Sequence, residues 1–73
     1  MLTMEQVKNF AFDVLGDFMP TNAYEVEQDR RGRFQIFVTR PKLMAAPKEV
    51  VQEDFARAKA GTEFENVSLF IAM

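Results

Sequence analysis

The chain contains no cysteine, no histidine and no tryptophan in its 73 residues. Without cysteine it can form no disulfide, and without cysteine and histidine it has no plausible ligand set for a structural zinc. The missing histidine also removes the ordinary proton shuttle and any imidazole-activated nucleophile. Serine occurs once, at Ser68, inside an apolar segment with no base beside it. The glycines, Gly16, Gly32 and Gly61, are isolated from one another, so no glycine-rich loop can cradle phosphate. No apolar run approaches the roughly 18 residues expected of a membrane span. The opening MLTMEQVKNF has no basic region followed by an apolar one, as a secretory signal would. The expectation is a cytoplasmic, non-enzymatic protein with no cofactor, metal or membrane partner.

A chain of this length is expected to form one small domain over residues 1–73. Such a domain buries only about 60% of its unfolded surface, so oligomerisation is the one reinforcement left to it. At 48% hydrophobic and 27% charged residues the composition is that of a folded globule. Eight phenylalanines and five methionines suggest more apolar surface than one small core absorbs. The net charge of −2, from 9 basic and 11 acidic residues, is too balanced to announce nucleic acid.

Thr3 and Gln6 have the capping-box spacing, and Val7, Phe10, Ala11, Val14 and Phe18 recur at helical intervals, which predicts a first helix ending at Pro20. Met4, Phe12, Leu15 and Met19 widen its apolar face beyond what one sheet covers. Asp13 and Asp17 fall four apart near its end, a mildly unfavourable like-charge pair. YEVEQDRRGRFQIFV then predicts a hairpin. A loop of Arg30, Arg31 and a left-handed Gly32 sets Asp29 opposite Arg33, Gln28 opposite Phe34, Val26 opposite Ile36 and Tyr24 opposite Val38, which gives one coherent apolar face. A two-residue Arg31-Gly32 loop would mix the faces.

Pro41 stops the second strand and Pro47 suits the first position of a second helix. Val51, Phe55 and Ala58 form that helix's buried stripe, Glu53 and Arg57 pair at i,i+4, and Gly61 stops it. In TEFENVSLFIAM, Val67, Leu69, Ile71 and Met73 alternate toward the core as a third strand. The fold class expected is α+β: a two-layer sandwich of order α-β-β-α-β, with a mainly antiparallel three-stranded sheet and both helices on one face. Strand order 2-1-3 is the expected arrangement, and 1-2-3 with a parallel pair is its alternative.

The sheet face away from the helices then carries Glu25, Glu27 and Asp29 beside Phe37, Phe70 and Phe64. Glu25 and Glu27 are spaced about 6.5–7 Å apart, a possible acid/base distance, but a solvated strand face lacks the desolvation that would separate their pKa values. Aromatic anchors bordered by acids suit a protein partner instead, and the expected function is that of an inhibitor or accessory protein. The alternative is an RNA- or single-strand-binding module. In it, Phe37 and Phe70 stack bases, while Arg30, Arg31 and Arg33, with Arg57 and Lys59 returning to the same end, hold phosphate. The third strand lies at a sheet edge in either topology. From Asn66 through Ser68 and Phe70 it carries no charge, proline or glycine, so it is expected to pair with a second copy as a homodimer or with a partner's strand.

Overall fold

The computed structural model describes residues 1–72 of the chain. Helix α1 spans Met4–Leu15 and starts with the expected reciprocal cap: Gln6 N–H donates to Thr3 Oγ1 at 3.2 Å, and Thr3 N–H donates to Gln6 Oε1 at 2.8 Å. It stops at Leu15, five residues short of Pro20. Gly16 is a poor helix former, and beyond it the N–H groups of Phe18 and Met19 both turn back to Leu15 O. Asp17 therefore lies beyond the last residue of the helix that carries Asp13.

Strands β1 (Tyr24–Gln28) and β2 (Phe34–Val38) form the hairpin in the expected register. Gly32 sits at φ 82°, the left-handed conformation that closes the loop. Asp29 N–H donates to Arg33 O at 2.9 Å and Thr39 N–H to Ala23 O at 2.9 Å, so the odd-numbered residues of the two strands bond to each other. The peptide groups of their even-numbered residues point away from the hairpin.

Helix α2 spans Lys48–Lys59, with Pro47 one position earlier than expected, at the N-cap. Its buried stripe is Val51 and Phe55. It continues at i+4 to Lys59, which lies over the Phe55 ring with Nζ 5.4 Å from the centroid, and leaves Ala58 exposed. Strand β3 is short, Ser68–Ile71; Met73 lies outside the described residues.

The expected strand order 2-1-3 is replaced by β1-β2-β3, and the sheet is mixed: β1 pairs with β2 antiparallel and β2 with β3 parallel. The hairpin register requires this. View the sheet from the helix side with β2 running upward, so that Ile36 points at the viewer. In an L-polypeptide the N–H and C=O of Ile36 then point right, and β1 lies on the left. A right-handed crossover through helices on the viewer's side also moves right. It delivers β3 to the free side of β2, where Ala72 N–H donates to Val38 O at 3.1 Å. Order 2-1-3 with the same apolar face would need a left-handed crossover.

Both helices pack on the Ile36 face. Val7, Ala11 and Leu15 of α1, Ile36 and Val38 of β2, Val51 and Phe55 of α2, and Val67 are all at most 2% exposed. Met19, on the wide apolar shoulder of the first helix, is only 5% exposed. Phe10 fills the seam between the helices, edge-on to Phe55 at 5.7 Å and stacked on Phe64 at 4.2 Å. Of that shoulder, Phe12 is left outside, 59% exposed.

Candidate functional site

The opposite face of the sheet has no helix over it. Register places Glu25, Phe37 and Phe70 in one row across the three strands, and Glu27, Gln35 and Ser68 in the next. Phe37 and Phe70 stack with centroids 5.3 Å apart and planes 19° from parallel. Phe37 is half-buried and Phe70 is 48% exposed. Parallel pairing brings the two rings together, since it sets Phe37 and Phe70 side by side in adjacent strands. Glu25 and Glu27 are exposed beside the stack, and among the described residues neither forms an ion pair.

Two of the residues expected on this face are elsewhere. Phe64 belongs to the helix side, packed on Phe10, because the turn after α2 enters β3 from that side. Glu65 fixes this turn by accepting Gly61 N–H at 2.9 Å, and Thr62 Oγ1 accepts Phe64 N–H at 3.1 Å. Asp29 is turned into the hairpin loop. Its Oδ1 accepts the N–H groups of Arg31 at 2.8 Å and Arg33 at 2.9 Å, a side-chain mimic of a backbone turn. The Arg33 N–H bond, more than any charge nearby, holds the Asp29 carboxyl below its ordinary pKa. The acidic part of the open face is thus Glu25 and Glu27, and Asp29 serves the turn.

The basic residues are also divided. Arg33 Nε lies 3.8 Å from Asp29 Oδ2, and Arg57 pairs with Glu53 at 2.7 Å, both at the surface where such pairs contribute little. Lys59 donates to Val67 O at 2.7 Å and ties the end of α2 to the start of β3. The Arg30 and Arg31 side chains form no ion pair among the described residues, and Glu63 lines the same concavity as Arg31 and Arg33. Asn66 lines it too and precedes β3 rather than belonging to its edge.

Both outer strands present open edges. On β3 the outward peptide groups are those of Leu69 and Ile71, the Val67 carbonyl being taken by Lys59. On β1 they are those of Tyr24, Val26 and Gln28, and beside them a groove of about 550 Å³ runs along α1, lined by Lys8, Phe12, Tyr24 and Val26. Burial raises the Tyr24 hydroxyl pKa. The sequence signals Phe12 as surplus apolar surface, but pairing it with a β1 edge requires the strand order.

Among the described residues no polar or charged side chain is buried, no acidic cluster could hold a metal ion, and no helix is long and apolar enough to cross a membrane. Comparison of the chain with protein-family models, curated proteins and solved structures gave no significant match.

Proposed function

We propose that this chain is a non-enzymatic protein-interaction module, an inhibitor or accessory protein, which docks a protein partner on its open sheet face. The observation that carries this is the Phe37–Phe70 stack, with Phe70 48% exposed on a face that no helix covers. A solvated aromatic pair bordered by two carboxylates is an anchor with an acidic rim, and it suits a basic protein surface.

The test compares parent, Phe70→Ser and Glu25→Lys/Glu27→Lys as baits in a pull-down from the host, with co-purifying proteins identified before and after nuclease. All the substituted positions are on the open face, so circular dichroism should be unchanged. Both variants should lose the parent's nuclease-resistant partner; a double variant that captures it as well as the parent sinks the assignment of the face.

A single-strand nucleic-acid module remains the second reading, favoured by the same stack and by Arg30 and Arg31. Replacing Glu25 and Glu27 by lysine would then strengthen binding, and affinity would fall as salt rises. The uncharged β3 edge supports self-association, strand against strand about a two-fold axis. Light scattering should then give about 17 kDa, twice the 8.4 kDa chain, and Ser68→Lys should lower it. A monomer that stays soluble rules out the self-paired edge.

A further inference from the structure

We infer that the free edge of β1, with the groove beside α1, takes an extended segment of a partner protein as an additional strand, and that this segment alternates apolar and basic residues. This goes beyond docking on the open face and shares with it only Glu25 and Glu27.

The edge determines that the occupant is extended. Tyr24, Val26 and Gln28 direct three successive N–H and C=O pairs outward, and no described residue meets them. The strand has no proline and no bulge, and of the usual devices that blunt such an edge it carries the charges of Glu25 and Glu27. The edge of β3 is poorer, with Lys59 on Val67 O and only Leu69 and Ile71 still turned outward.

The two sides of the edge determine the alternation. On the helix side an added strand would lay every second side chain into the groove of about 550 Å³, against Phe12, Tyr24 and Val26, with Lys8, Asn9 and Thr21 also lining it. Phe12, 59% exposed, is the apolar wall that such side chains would cover. On the other side the intervening residues would stand next to Glu25 and Glu27, neither of which pairs with a cation among the described residues. Lysine or arginine there makes favourable cross-strand pairs.

The same carboxylates argue against a second copy of this chain. Antiparallel pairing of two β1 edges centred on Val26 would oppose Glu25 of each to Glu27 of the other, and like charges directly opposite are unfavourable. A basic, alternating strand from another protein meets both sides of the edge, as in strand addition to an exposed sheet edge.

The test uses the full ¹⁵N-labelled chain and a capped synthetic peptide alternating valine and lysine. A block peptide of the same composition and an alternating valine–glutamate peptide are the controls. Bound peptide should slow exchange of the Tyr24, Val26 and Gln28 amides, the N–H groups that point outward from β1, by about tenfold or more at Val26 and Gln28 in the middle of the edge. The Glu25→Lys/Glu27→Lys chain should prefer the glutamate peptide. Phe12→Ser, at an exposed position, should weaken binding of the lysine peptide by about tenfold and remains informative if charge reversal disturbs the hairpin. Phe70→Ser should leave peptide binding unchanged while abolishing open-face docking, which separates failure of this site from failure of the other. No protection at Val26 and Gln28 at millimolar peptide overturns the inference. So does protection at Leu69 and Ile71 instead, or equal binding of the block peptide.

Discussion

Ile36 and Phe37 are neighbours in the central strand and face opposite sides of the sheet. Ile36 is wholly buried under two helices, in a cluster that includes Val7, Leu15 and Phe55. Phe37 is larger, yet it stacks on one exposed ring, Phe70, on a surface that no described helix covers. One face holds the fold together by excluding water from aliphatic side chains. The other keeps two aromatic rings in water beside carboxylates, an arrangement that contributes little to folding and is suited to being covered by something else. Apolar content alone does not distinguish core from interface; the position of a residue relative to the helices does.

The comparison predicts a large asymmetry in stability. Ile36→Ala should remove about 2–5 kcal/mol, a large part of what a domain of this size has, and urea unfolding should show it. Phe70→Ser should cost at most about 1 kcal/mol, the worth of one surface ring pair. Comparable losses would mean that the open face belongs to the core after all.

Between these lies the turn that assigns residues to faces. Gly32→Ala forces an alanine to φ 82° and should cost about 1–2 kcal/mol by the same measurement. The smallest effect is at Asp29, and acid removes it. Its folded pKa is depressed, so its contribution is full above the unfolded value of 3.8 and is lost as pH falls below that through the folded value. Asp29→Asn should lower the melting temperature slightly at neutral pH, where the carboxylate contribution is full, and flatten its pH dependence below pH 3.8, where variant and parent converge. An unchanged acid limb would mean that other carboxylates set it.

Much of this arrangement was legible in the sequence. Alternation in YEVEQ and FQIFV, with Gly32 as the left-handed residue, is enough for the hairpin register, and Thr3 with Gln6 is enough for the start of α1. The strand order was legible too, but only through the handedness of L-residues: once Val26 and Ile36 are a non-bonded pair facing the helices, a right-handed crossover leads to the side of β2 away from β1. Counting apolar residues along each strand does not reveal that. Phe64 could not be placed, because its side depends on the turn built by Thr62 and Glu65, where no periodicity operates. Lys59 was similar: a terminal lysine signals a helix C-terminus, and its bond to Val67 O depends on where β3 begins. The open-face pair Phe37 and Phe70 was expected residue by residue, while their stacking depends on the parallel pairing of β2 and β3.

That parallel pairing also decides where the two ends of the described chain lie. Met1 and Leu2 line the concavity at the arginine turn, together with Arg31 and Arg33. Ala72 lies at the other end of the sheet, beside Thr39 to Leu43 where β2 finishes. For a bait on a resin or a sensor chip, the choice of attachment point is therefore a choice of which end meets the support. A tether near residue 72 holds the hairpin tip outward, with both the aromatic face and the β1 edge accessible along their length. A tether at Met1 would press Arg30 and Arg31 toward the matrix, and a weak signal from that orientation would say more about the surface chemistry than about the protein.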